Sequence, residues 1–126
     1  MLIEKPLCSS VEEALEMAQI EKETGHFVAV GYQMNYSPVT RELKNRILNG
    51  EFGNPVVLKT IHGFKRGKAY YHRNNWAGKR TLHGHLVNDS PVNNSNAHQF
   101  QNMLFLLGDQ MDHSACLLYT SDAADD

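Results

Sequence analysis

The apolar positions near the start of the chain form two short runs separated by an amphipathic stretch. Leu2-Ile3 leads into Glu4-Lys5-Pro6 and predicts a strand over residues 2–5. Ser10-Val11-Glu12-Glu13 has the form of a capping box: the serine hydroxyl accepts from a free backbone N–H, and Glu13 reaches back to the cap. Val11, Ala14, Leu15 and Ala18 then fall on one face of a helix that Gly25 stops, so a helix is predicted over Ser10 to Thr24. The compact run FVAVGY predicts a buried strand over Phe27 to Tyr32. Strand, helix and strand make a β-α-β unit, which favours parallel pairing.

Ser37-Pro38 begins a second helix, with a cap residue followed by proline in the first turn. Val39, Leu43 and Ile47 give that helix an apolar stripe, and Gly50 and Gly53 end it. NPVVLKTIHGF is rich in β-branched residues and predicts an extended strand. From Lys65 to Asn88 the pattern dissolves into Gly, Asn, His and basic residues, which predicts a long functional loop with one short strand. NNSNAHQFQNMLFLLG predicts a last helix in which Phe100, Met103, Leu104 and Leu107 face the core. His98 lies opposite that stripe, and Asn94 and Asn102 share its side at helical spacing.

Composition narrows the classes. With 126 residues, 41% hydrophobic and a formal net charge of −2, the chain can build one domain's modest core and does not suggest a nucleic-acid or membrane partner. No apolar run approaches the roughly 20 residues that span a bilayer. The N-terminus lacks the basic and then apolar pattern of a signal peptide. Cys8 and Cys116 make no disulfide framework, so a reduced, cytoplasmic setting is expected; an export signal upstream stays open.

Several residues are candidates for chemistry. Lys5 sits at the C-terminal end of a predicted parallel strand, the edge where open α/β sheets bind ligands, and Pro6 restricts it to extended geometry. His98 is the acid/base candidate, since an imidazole titrates near neutrality. His83 and His85 would share one face of a strand, but two ligands do not close a zinc site, and no metal is expected. Lys65, Arg66, Lys68, Arg73, Lys79 and Arg80 interleave with Tyr70, Tyr71 and Trp76. Such a stretch suits single-stranded nucleic acid or a pocket for a polyol, sugar or anionic metabolite, and the chain's acidity favours the pocket.

IEKPL followed by a capped helix, then VAVGYQMNYSPVTRELKNRILNGEFGNPV, NNWAGK and DSPVNNSNAHQFQNMLFLLG, closely resembles the Gfo/Idh/MocA family of NAD(P)-dependent oxidoreductases. The resemblance covers residues 1 to about 115. It implies the end of a Rossmann domain over residues 1–33, running into the start of an α+β domain with a mostly antiparallel sheet over 34–115. The Gly-rich phosphate loop and its acidic ribose partner are not in this chain, so Met1 reads as internal to a longer protein.

The resemblance further implies NAD or NADP as cofactor, a sugar or polyol substrate, and a parent enzyme that forms homo-oligomers. Glu4, Lys5 and Pro6 match the cofactor-side motif, with the lysine beside the nicotinamide and the reacting carbon. His98 takes the histidine position of the later helix, and Asn94 falls where the family has aspartate. Asn cannot ionise, so Asp89 is the candidate carboxylate; Asn35 falls where many relatives have arginine. Tyr71, Arg73 and Trp76 are expected on the substrate side. The ending CLLYTSDAADD matches the conceptual translation of a transposon-end sequencing adapter, so residues 116–126 are expected to be a non-native tail. Two other readings are a non-catalytic sugar- or partner-binding relative and a small histidine-based metal protein.

Overall fold

The computed structural model describes residues 1–115; the tail read as non-native lies outside the described residues. The chain divides into two compact units, each drawing on two stretches. The first combines Met1–Gly31 with His62–Ala97. The second combines Tyr32–Ile61 with the residues from His98 onward.

In the first unit, β1 (Leu2–Ile3) pairs in parallel with β2 (Ala29–Val30), Leu2 opposite Ala29 and Ile3 opposite Val30. Between them runs α1 (Val11–Thr24). The expected β-α-β unit is therefore present, with shorter strands than the apolar runs suggest. Pairing extends from Ala29 N–H to Met1 O and from Gly31 N–H to Ile3 O, both 2.8 Å. Beyond Ile3 the chain enters Glu4-Lys5-Pro6, whose Lys5–Pro6 bond is cis and whose proline has no N–H to offer a ladder. The FVAVGY run is not buried as expected: Phe27 is exposed and its followers are half-buried, because β2 has one neighbouring strand among the described residues. The Ser10 hydroxyl accepts from Glu13 N–H at 3.2 Å. Glu13 completes the reciprocal bond one residue earlier than expected, accepting from Ser9 N–H at 2.8 Å.

The region expected as a loop with one strand holds more order. It contains a single helical turn, α3 (Lys68–Tyr71), and an antiparallel hairpin of β3 (Thr81–Leu82) with β4 (His85–Leu86). His83 and Gly84 form the turn with φ of 49° and 82°. Two consecutive left-handed residues match the twist of a tight hairpin. His83 and His85 therefore do not share one strand face: one is in the turn and the other begins β4. A π-helical turn, Pro91–Ser95, follows, and the Ser90 hydroxyl caps it by accepting from Asn93 N–H at 3.0 Å.

In the second unit a 3-10 turn (Gln33–Tyr36) precedes α2 (Pro38–Leu48), and α4 (Ala97–Leu107) begins at the unit boundary. Pro38 takes the first helical position as expected, while the Ser37 side chain makes no capping bond. The NPVVLKTIHGF segment forms no strand: Val56, Val57 and Ile61 are exposed, since no described strand offers them a ladder.

The last helix also differs from its pattern. Asn94 lies in the π turn rather than in α4, so it is not one α-helical turn before His98. Ala97, Phe105 and Leu106 are the buried residues of α4, while Phe100 and Leu107 of the expected core stripe stay exposed. What fixes that face is Lys44, which is fully buried. Its ammonium lies 3.9 Å from the centroid of the Phe105 ring and donates to the His113 carbonyl. Burial lowers its pKa, against the attraction of Asp112 and Asp109 and with the repulsion of Arg41.

Gly108 is packed against the same carbonyl, so a Cβ there would collide with the His113 backbone. Gly108→Ala should therefore destabilise the second unit by about 1–3 kcal/mol, read as a lower urea midpoint. Gly63→Ala is the control, since a Cβ there meets nothing within 4 Å. Equal midpoints for the two variants would refute this account of the packing.

Candidate active site around Lys5

Strand β1 delivers Lys5 to its carboxyl end, and the chain leaves through Pro6. The lysine ammonium donates to both oxygens of Asn94: the backbone carbonyl at 2.6 Å and Oδ1 at 2.9 Å. An ammonium has three donors. The third has no acceptor among the described residues, and Lys5 lines a cavity of about 240 Å³ with Pro6, Trp76, Asn88, Asp89 and Asn94.

The π turn explains why Asn94 faces Lys5. Its wider winding is closed at both ends, by Asn94 N–H to Ser90 O at 3.0 Å and Asn96 N–H to Pro91 O at 2.7 Å. The Asn94 amide nitrogen donates to Asp89 Oδ1 at 2.5 Å and to the Tyr70 phenol at 3.3 Å. Asp89 Oδ2 accepts from Gly78 N–H at 2.6 Å. The carboxylate thus ties the loop after Trp76 to the π turn. Asn88 adds a bond from Nδ2 to Ser9 O at 2.9 Å, holding the chain after Pro6 against the same wall.

Tyr70 is a member that the sequence reading did not single out. Burial opposes ionisation of its phenol, but hydrogen bonds from Ser95 and Arg73 and the charges of Arg73 and Arg66 outweigh that, placing its pKa below the usual tyrosine value. The Arg73 and Arg66 guanidiniums lie 3.8 and 4.4 Å from the Tyr70 ring centroid. Its neighbour Tyr71 is as aromatic and as close to the basic residues, so composition alone could not choose between them.

The other expected residues are distributed as follows. Trp76 lines the Lys5 cavity. Arg73 stacks on Tyr70 and, at 5.1 Å, on Trp76. Tyr71 meets Tyr70 edge-on and lies beside Gly78, in a smaller hollow. Glu4 is exposed, next to Gly31. His98 belongs to the second unit, where its ring meets Tyr32 edge-on with centroids 5.9 Å apart. Asn35 is half-buried in the 3-10 turn. A larger open hollow of about 480 Å³ on α2 is lined by Pro38, Val39, Glu42, Leu43 and Arg46. It is mostly apolar and has no converging hydrogen-bond network, so the Lys5 cavity is the better candidate for chemistry.

Over 63 residues the chain is 41% identical to an inositol 2-dehydrogenase of Mycolicibacterium smegmatis, covering 49% of this chain and 18% of that enzyme. Over 66 residues it is 38% identical to the scyllo-inositol 2-dehydrogenase (NAD(+)) of Bacillus subtilis, covering 52% of this chain and 18% of that enzyme. Over 62 residues it is 27% identical to the 1,5-anhydro-D-fructose reductase of Ensifer adhaerens, covering 49% of this chain and 19% of that enzyme. No family model matches the chain, and no solved structure matches it significantly. The chain is thus related to oxidoreductases of the Gfo/Idh/MocA type, in agreement with its motif series. The matched stretch spans less than one fifth of each of these three relatives.

Removing the Asp89 carboxylate leaves the Gly78 and Asn94 donors without their charged acceptor. Asp89→Ala should cost about 2 kcal/mol and speed hydrogen exchange at the Gly78 amide. Unchanged exchange there would mean that Asp89 does not hold the loop.

Proposed function

We propose that the chain is part of an NAD- or NADP-dependent oxidoreductase that moves a hydride between the nicotinamide and a secondary alcohol of a sugar, polyol or related hydroxy compound. One observation carries this reading: Lys5, held by Asn94, keeps a donor for the cavity in a chain similar to enzymes named for inositol and anhydrofructose. The carboxyl ends of the two parallel strands suit a dinucleotide, since open α/β sheets bind nucleotides at that edge. Gly31 leaves this edge without a side chain, where a Cβ would lie 3.4 Å from Glu4 Oε2. Glu4, Lys5 and Pro6 would hold the cofactor side, and residues 1–33 would be the end of the dinucleotide domain.

The nicotinamide, when bound, supplies the hydride chemistry; the chain's own residues orient the substrate and manage its proton. Oxidising a secondary alcohol yields a carbonyl only if the hydroxyl proton also leaves. The third Lys5 donor can bond the substrate oxygen and polarise it. Asp89 and Asn94 keep the ammonium in place, with Asp89 providing the negative charge that Asn94 lacks. His98 is proposed as an acid/base group on the strength of its position in the motif. Of the three substrate-side residues, Trp76 has the firmest support because it lines the cavity. Residues 34–115 would begin the substrate domain of a homo-oligomeric parent, and the chain by itself would not turn over.

In the full-length protein, Lys5→Ala should lower kcat for NAD reduction with an inositol by about 10²–10⁴-fold, a larger loss than any weakening of dinucleotide binding at the same position. Activity within about threefold of the unaltered enzyme would remove Lys5 from the chemistry.

A further inference from the structure

Asn94 has every polar group occupied. Its backbone N–H donates to Ser90 O, and its backbone carbonyl and Oδ1 accept from Lys5. Its two amide hydrogens serve Asp89 and Tyr70. A carboxamide can present either end to a partner, and only its surroundings decide which. Here two acceptors, one on each amide hydrogen, force the oxygen toward the lysine. If Tyr70 did not accept, one hydrogen would be left half-buried without a partner, and the amide would be held on the Asp89 side alone.

We propose that Tyr70 is a positioning residue of the Lys5 site: its phenol oxygen takes the second amide hydrogen of Asn94 and so fixes Oδ1 toward the ammonium. The proposal rests on the oxidoreductase reading for its catalytic meaning, but its geometry stands within the first unit alone. Tyr70 is suited to the task because its environment favours a negative oxygen. The polar groups of Ser95 and Arg73 favour the ionised phenol, and two guanidiniums lie over its ring. Lys5, Asp89, Arg66 and Arg73 are the charged groups around this pair, and Asp89 faces the amide rather than the phenol. Because the phenol's pKa is depressed, rising pH converts it to a stronger acceptor before an ordinary tyrosine would ionise. The grip on Asn94 therefore tightens as pH rises through the Tyr70 pKa and relaxes as pH falls below it.

The test is an NMR titration of the full chain labelled with ¹⁵N-asparagine, following the Asn94 side-chain NH₂ and its backbone N–H. In the unaltered protein the side-chain signal should shift with a midpoint below the usual tyrosine value. Tyr70→Phe keeps the ring on which the guanidiniums stack. It should abolish that step and speed exchange of the side-chain hydrogens about threefold to tenfold. The backbone N–H bonded to Ser90 should keep its protection, which a general loosening of the π turn would not allow. A side-chain signal that never follows the phenol in the unaltered protein would overturn the proposal without recourse to any variant. So would a Tyr70→Phe spectrum with the step intact, or equal loss of protection at both Asn94 positions. Since none of these signals depends on turnover, a failed activity assay and a failed titration refute different statements.

Discussion

The bond between Lys5 and Asn94 joins the end of the first strand to a turn far along the chain, and the candidate site depends on it. An ammonium that leaves water needs acceptors in place, and here both come from one residue. That residue can serve only because a π turn brings its carbonyl and its side chain to the same side. The π turn is in turn capped by Ser90 and tied through Asp89 to the Gly78 backbone. The result is a polar network in which each member's orientation is set by the next. Such networks are informative when satisfied, since a half-satisfied one would cost more than an apolar core.

The β-α-β unit was legible because its signals are local. The serine cap and the glycine stop act within a few residues and appear where the pattern places them, whereas Val11, Leu15 and Ala18 of the apolar stripe are exposed. The segment from Asn54 to Phe64 was misread for the opposite reason. Its β-branched residues describe a surface that suits a sheet, but a strand exists only with a partner to bond. The hairpin was hidden because His83 is an unusual first residue for a tight left-handed turn, and the Gly84 beside it was read as loop composition. The face of α4 was misjudged because hydropathy cannot anticipate a lysine. Lys44, a charged residue, organises the buried side of that helix by lying over Phe105 and capping the His113 carbonyl.

The site was half legible. Lys5 and Asn94 could be placed by motif, and the structure shows them in contact. Asp89 was named as the alternative carboxylate, and it lies against the amide of Asn94. Their three-way arrangement could not be read, since it depends on a π turn that shifts the register before α4. Tyr70 was named only within the basic and aromatic stretch, and Tyr71 was expected at the site in its place: two adjacent tyrosines offer the same chemistry, and only the fold chooses one. The described residues contain no group of three or more histidine, cysteine or acidic side chains suited to a metal, and no helix long and apolar enough to cross a membrane.

A carboxamide held between a lysine and an aspartate is also a choice of charge. Exchanging that amide nitrogen for oxygen would alter the charge of the site without altering its shape. The product would carry a carboxylate where an amide had been. Two negative groups would then face each other across the hydrogen bond that now joins Asn94 to Asp89, and one of them would have to take up a proton or move away. The position that orients the lysine therefore works only as a neutral amide, which can accept from a cation on one side and donate to an anion on the other.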